Sequence, residues 1–255
     1  MERTLEGRAI IVTGAGGGIG RAASLIFAGA GARVVVSDID AASGDETVKQ
    51  ISNQGGTAMF VKTDITDETS VAALVARTVS AYGKLDGAFN NAGIAPSHKS
   101  FHEISRVAWN RVIDVDLTGA FLCMKHEIGA MLQTGGGSIV NTASALGVVG
   151  VPSAGDYIAA KHGVIGLTKS AAVDYGGRNI RVNAVLPGLI MTPLVSEALR
   201  DPEYASHFEK YKAQHLVGRV GLPEEVARTA EWLLSDAASF VTGHSMAVDG
   251  GWTTV

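Results

Sequence analysis

Seven short runs dominated by apolar and β-branched residues recur along the chain: RAIIVTG (8–14), RVVVSD (33–38), TAMFVKTD (57–64), LDGAFNNAG (85–93), GSIVNTAS (137–144), IRVNAVLPG (180–188) and SMAVDGG (245–251). Each is apolar on both parities rather than in alternation, which predicts strands covered on both faces. The segments between them have the length of crossover helices. Together they predict an α/β fold, a doubly wound parallel sheet of seven strands with helices on both faces. No linker, charge block or internal repeat interrupts the series, so residues 1–255 read as a single domain. Only the stretch 189–221 breaks the rhythm. An insertion there is expected to form a lid over the carboxyl ends of the strands, where open α/β sheets bind ligands.

Composition narrows the classes of partner. A chain of 255 residues that is 46% hydrophobic has ample material for a core. Its net charge of −4, with Lys and Arg scattered, offers no footprint for nucleic acid or an anionic membrane. No apolar run reaches the roughly 18 residues of a membrane span, and the opening residues lack a signal-peptide pattern. Cys123 has no partner cysteine, which suits a buried residue in a reducing compartment. A soluble, cytoplasmic protein is expected.

The first strand runs into Thr13-Gly-Ala-Gly-Gly-Gly-Ile-Gly20. Gly14, Gly18 and Gly20, with Ile19 between the last two, lie where a strand gives way to a helix. Bare amides and a helix N-terminus there suit a pyrophosphate. Asp38 ends the second strand 18 residues after Gly20, close to the offset at which a carboxylate binds a ribose 2′-hydroxyl. It would repel a 2′-phosphate, and neither 15–18 nor 39–43 carries a basic residue to welcome one. NAD is therefore the expected cofactor. Asp38 could instead cap the next helix, a role that Asp40 suits at least as well. Asp64, followed by Ile65, closes the third strand as a cap or an adenine contact.

Tyr157 and Lys161 stand at i and i+4 on one helix face, and Ser144 ends the fifth strand 13 residues upstream of Tyr157. A phenol with an ordinary pKa of about 10 is poorly suited to proton transfer near neutrality. A neighbouring ammonium, helped by a cationic nicotinamide, favours the tyrosinate. A shift of about 3 units corresponds to about 4 kcal/mol, which requires a close, desolvated charge. Ser144 would hydrogen-bond the substrate oxygen.

These motifs, together with Asn90-Asn91-Ala92-Gly93 and Pro187-Gly188 followed by Thr192, resemble the short-chain dehydrogenase/reductase family over essentially the whole chain. The resemblance implies a Rossmann-type sheet in the order 3-2-1-4-5-6-7 and hydride transfer between nicotinamide and a secondary alcohol or ketone. It implies that Lys161 also holds the nicotinamide ribose and that Asn91, Ala92 and Gly93 border the cofactor. The segment of Pro187, Gly188, Ile190 and Thr192 would hold the carboxamide. It further implies a homotetramer.

One position departs from the family pattern. Where Val-Asn-Leu-x-Gly is usual, the chain has Val115-Asp116-Leu-Thr-Gly119. The family's Asn sits at a helix kink, and its main-chain carbonyl holds a water leading to the lysine. Asp116 thus joins Ser144, Tyr157 and Lys161 as a candidate catalytic residue. It is either ionised and paired with a buried donor or protonated in imitation of Asn. Asp114, about 200° away around a helix, reads as structural.

Leu146, Val148, Val149, Leu189, Met191 and Leu194 suggest an apolar, cyclic or bulky alcohol or ketone as substrate. Two other readings stand beside this one. A 3-oxoacyl carrier-protein reductase would prefer NADPH and a basic docking face; a non-catalytic nucleotide sensor would typically have lost Tyr157 or Lys161. His98 and His102 share i, i+4 spacing, but no third ligand accompanies them, so no metal is expected.

Overall fold

All seven apolar runs form strands, most of them shorter than the sequence pattern: β1 (Ala9–Thr13), β2 (Arg33–Asp38), β3 (Thr57–Lys62), β4 (Gly87–Asn90), β5 (Gly137–Thr142), β6 (Ile180–Pro187) and β7 (Ser245–Val248). The computed structural model describes residues 3–200 and 202–254, without the side chains at 194, 198, 202–204, 206 and 207. Every strand pair is parallel, and the order is β3-β2-β1-β4-β5-β6-β7. The helices are α1 (Gly18–Gly29), α2 (Ala41–Asn53), α3 (Glu68–Tyr82), α4 (Arg106–Ile113), α5 (Gly119–Thr134), α6 (Gly155–Tyr175), α7 (Pro193–Ala198), α8 (Pro202–Ala213) and α9 (Pro223–Leu234). No helix among the described residues is long and apolar enough to cross a membrane.

The two-residue period of the strands explains their continuous hydrophobicity. Ile10, Val12, Val34 and Val36 pack on one face with Phe27 of α1 and Leu233 of α9. Ile11 and Val35 turn to the other face, against Leu74 of α3 and Met131 of α5. Each residue of β1 is thus buried whichever way it points, whereas the edge strands β3 and β7 keep exposed positions. Phe27 meets Phe89 edge-on with ring centroids 6.1 Å apart. Fully burying each such ring stabilises the fold by about 2–3 kcal/mol.

The chain lays down β1, β2 and β3 in one direction and then returns, so that β4 pairs with the opposite edge of β1. At that reversal the connections leave in opposite directions and open a crevice beyond the strand ends. Asp40 caps α2 by accepting the Ala42 amide at 3.0 Å, as the sequence suggested. The segment 189–221 contains α7 and α8 and lies between β6 and β7.

One polar cluster interrupts the core. The Asn90 side-chain amide donates to Glu127 Oε2 (2.9 Å) and to Asn141 Oδ1 (3.1 Å), and Asn141 donates to Thr168 Oγ1 (3.0 Å). Glu127 is buried, with Oε1 lacking a partner. Burial pushes its carboxyl up to about 7, with only the Asn90 bond opposing it. Between pH 4.5 and 7 the folded chain therefore holds a proton that the unfolded chain releases. Stability falls as pH rises through that window and levels off above it, a loss on the order of 3 kcal/mol. Glu127→Gln keeps the contact with Asn90 without a charge. Its melting temperature is expected to exceed that of the unmodified chain at pH 8, with the gap closing towards pH 5. A gap independent of pH would assign Glu127 no titration in this range.

Candidate active site

The crevice beside β1 is a cleft of about 460 Å³ whose walls include Gly14, Gly18, Ile19, Asp38, Asn91 and Thr192. Asp64, Ile65, Ala92 and Gly93 also border it, so most of the sequence candidates for cofactor binding meet in one place. Gly14 has φ +63°, and a Cβ there would lie 2.8 Å from Ala92 Cα. A Cβ on Gly20 would overlap the Gly14 carbonyl. The glycines therefore let the turn fold against β4. Helix α1 begins without a side-chain cap, so its first amides remain available at the cleft. These features fit a dinucleotide pyrophosphate.

Asp38 is fixed by two backbone donors, Gly16 N to Oδ2 (2.8 Å) and Asp40 N to Oδ1 (3.0 Å). The nearby Arg21 is engaged with the Gly16 carbonyl, Thr47 Oγ1 (2.9 Å) and the Ser43 carbonyl (3.2 Å). Asp64 does not cap α3, a role that falls to Asp67. Its Oδ1 instead accepts from Thr66 N (2.9 Å) and Thr66 Oγ1 (2.7 Å). Thr192 caps α7, and its methyl lies across from Gly18. Pro187 ends β6 and Gly188 follows it, and Ile190 is buried; none of the three is in the wall of the cleft.

Ser144, Tyr157 and Lys161 come together at the carboxyl end of β5. The Ser144 hydroxyl lies beside the Tyr157 phenol, whose pKa it lowers, and accepts the Leu146 amide at 3.1 Å. Lys161 Nζ lies 5.2 Å from the Tyr157 ring centroid. Burial pushes the phenol above its ordinary value; the Lys161 charge and the Ser144 hydroxyl lower it, while Asp116 raises it. The sequence expectation of a depressed phenol thus meets an opposing cause. The ammonium is present, but burial outweighs it and Asp116 cancels part of its field.

Asp116 lies in a π-type turn, Asp114–Thr118, between α4 and α5, where Gly119 N donates to the Asp114 carbonyl. This turn buries Asp116 and leaves Asp114 exposed. Asp116 Oδ1 is 3.0 Å from Lys161 Nζ, with the two side chains only 1% and 4% exposed respectively. Ile94 N donates to the same carboxylate, at 3.2 Å to Oδ2. All of these partners are donors, an arrangement that suits an ionised, paired carboxylate. Burial raises its pKa and Lys161 opposes that rise. Burial also works against the Lys161 charge, yet Tyr157 and Asp116 hold its pKa above the ordinary lysine value. Lys161 gives a second bond to the Thr142 carbonyl at 3.1 Å, leaving a third N–H for a ligand.

Thr13, which the sequence marked only as the head of the glycine motif, and two residues that sequence reasoning passed over, Asp156 and His215, also shape the site. Thr13 Oγ1, nearly inaccessible, accepts the amides of Asn91 (3.0 Å) and Ala92 (3.1 Å) and so ties β4's exit to β1. Asp156, fully buried, accepts the Tyr157 amide (2.8 Å) and the Ser97 amide (3.1 Å), pinning the loop after β4 to the start of α6. An acidic residue in a helix's first turn, next to Tyr157, was the available signal. His215 takes the Leu189 amide on Nε2 (3.0 Å) and contacts the Tyr211 carbonyl through Nδ1 (2.9 Å). Nothing in the sequence marked it. Of the apolar residues expected to line a substrate pocket, Val148 is exposed, Leu146, Val149, Leu189 and Met191 are partly buried, and the Leu194 side chain lies outside the described residues.

A doubly wound nucleotide fold with a Ser-Tyr-Lys cluster beside a glycine-lined cleft defines a nicotinamide-dependent oxidoreductase class. A family model described as "Enoyl-(Acyl carrier protein) reductase" matches residues 14–253. The chain is 49% identical over 253 residues to a 2,5-dichloro-2,5-cyclohexadiene-1,4-diol dehydrogenase of Sphingobium indicum, covering 98% of this chain and 99% of the relative. It is 44% identical to a cyclohexanol dehydrogenase of an Acinetobacter species, covering 100% and 98%. The crystal structure of levodione reductase superposes with a TM-score of 0.95 at 33% identity, covering 98% and 99%. The chain belongs to the short-chain dehydrogenase/reductase family.

The Thr13 brace can be tested without reference to activity. Thr13→Val keeps the volume but leaves two backbone amides without their acceptor. It is expected to lower stability by about 2 kcal/mol, seen as a melting temperature lower by roughly 4–8 °C. Thr13→Ser, which keeps the hydroxyl, should lose much less.

Proposed function

We propose that the protein is an NAD-dependent dehydrogenase of an apolar, alicyclic secondary alcohol, interconverting the alcohol and its ketone. The observation that carries this reading is the Ser144-Tyr157-Lys161 cluster at the end of β5, adjoining the glycine-lined cleft at Gly93, where a Cβ would lie 3.5 Å from Lys161 Nζ. A bound nicotinamide supplies the hydride acceptor. Tyr157 takes the hydroxyl proton of the alcohol, Ser144 holds the substrate oxygen by a hydrogen bond, and Lys161 keeps the phenol and the nicotinamide ribose in register. Gly14, Gly18, Ile19 and Gly20 hold the pyrophosphate. Asp64 and Ile65 flank the adenine, and Asn91, Ala92 and Gly93 border the cleft's inner wall. Pro187, Gly188, Ile190 and Thr192 hold the carboxamide end, with residues 189–221 as a lid.

Asp38 favours NAD over NADP, because its carboxylate is held rigidly where a 2′-phosphate would need a cation. Arg21, the nearest guanidinium, is already bonded to backbone and Thr47. The named ring substrates of the two dehydrogenase relatives support an alicyclic alcohol. A carrier-protein substrate is disfavoured by the net charge of −4, which supplies no basic docking face. Val173 of α6, 84% exposed, and Phe121 of α5, 45% exposed, support a homotetramer in which these helices meet other subunits. A reducing, cytoplasmic setting suits the free, buried Cys123.

The reading is tested by following NAD and NADP reduction with cyclohexanol and related ring alcohols. NAD is expected to be preferred, and Tyr157→Phe should lower turnover by about 10²–10⁴-fold while leaving NADH binding intact. A Phe variant with unaltered turnover would sink the proton-transfer role. Asp38→Ser is expected to erode the preference for NAD over NADP by about tenfold or more; a preference left intact would remove Asp38 from the discrimination.

A further inference from the structure

The Asp116-Lys161 pair is a buried charge pair placed where the family pattern has an uncharged side chain. Its geometry is tightly set. Oδ1 meets Lys161 Nζ at 3.0 Å, Ile94 N donates to both oxygens at 3.2 and 3.4 Å, and a Cβ on Gly93 would approach Oδ1 to 2.6 Å. The ionisable groups acting on Tyr157 are Lys161 from its own helix and Asp116 from the π-type turn, and Ser144 beside it is neutral. Asp116 itself faces Lys161 and, at the start of α6, Asp156.

Charges buried together act on one another with little screening. An asparagine at 116 would leave the Lys161 ammonium uncompensated in this region. With Asp116 ionised, the pair is neutral, and Asp156 adds negative potential beside it. The nicotinamide ring is cationic when oxidised and neutral when reduced, so a site relieved of positive charge discriminates between the two forms.

We propose that Asp116 is a positioning residue that also sets the site's charge, so that the protein binds the oxidised cofactor more favourably relative to the reduced one than an asparagine at this position would permit. The inference rests on the nicotinamide reading above. It assigns the pair a directional role: oxidised cofactor is captured readily and reduced cofactor is released readily, which suits alcohol oxidation. The same field carries a consequence for Tyr157. Because Asp116 neutralises Lys161, the phenol gives up its proton at a higher pH than it would beside an unpaired ammonium.

The test compares Asp116→Asn with the unmodified protein, each first shown to be folded by thermal melting. Dissociation constants for NAD and for NADH are measured by titration, NADH by its fluorescence and NAD by displacement of NADH. The ratio of the NAD constant to the NADH constant is expected to rise about tenfold in the Asn variant, the effect of one unit of pKa-scale interaction. The alkaline rise of kcat/KM for alcohol oxidation is expected to move to lower pH by about one unit. If Asp116→Asn does not fold, Asp116→Ser makes the same comparison. A folded variant whose ratio is unchanged overturns the inference, even if its turnover falls, because a merely structural role for Asp116 would leave the ratio alone. Failure of the unmodified protein to bind either nucleotide would instead overturn the cofactor reading.

Discussion

A parallel sheet covered on both faces gives its polar chemistry one outlet, the loops beyond the strand ends. Ile10 and Ile11 point to opposite faces and are both fully buried, so no side chain along the middle of β1 can meet a ligand. Each strand must deliver its functional group at its carboxyl end or in the turn that follows. The reversal in strand order between β1 and β4 then decides where those groups converge. The glycine turn leaves β1 in one direction and the Asn91–Gly93 segment leaves β4 in the other. Thr13 bonds the second to the first across that gap.

The polar groups that lie beneath the cleft are held by partners from distant parts of the chain. Asn90 at the end of β4 reaches Glu127 on α5 and Asn141 on β5, which stiffens the strand under the site. The Asp116-Lys161 pair should not be read as a device for stability, because desolvating two charges costs about what their attraction returns. What the pair does provide is position. Lys161 Nζ is stretched between Asp116 and the Thr142 carbonyl, which fixes where its remaining proton points relative to Tyr157. Asp156 secures the same tyrosine from the backbone side.

What could be read from the sequence were features with local or periodic causes. The seven strands show as doubly apolar runs, the glycine turn as a strand-to-helix spacing, and Tyr157 with Lys161 as an i, i+4 pair. The strand ends were overcalled: 85–93 became Gly87–Asn90 because Asn91 and Ala92 leave the ladder to donate to Thr13. Three-dimensional partners were not legible. Asp156 and Ser97 are 59 positions apart, and Asn90 and Glu127 are 37 apart. No periodicity links such residues. His215 is the extreme case, since its bond to Leu189 depends on how α8 returns to the end of β6.

The two aspartates of the π-type turn show how backbone geometry sorts chemically identical side chains. Asp114 and Asp116 are separated by one residue, yet one faces solvent and the other is buried against Lys161. The five-residue hydrogen bond from Gly119 to Asp114 widens the helix at this point, a distortion that turns frequently adopt at functional sites. The widening lets Asp116 meet the Ile94 amide and Lys161 together. Asparagine would fill nearly the same volume, so packing cannot account for a carboxylate here. The difference between the two residues is a charge, and a charge buried beside Lys161 and Tyr157 acts on how readily those two groups hold their protons.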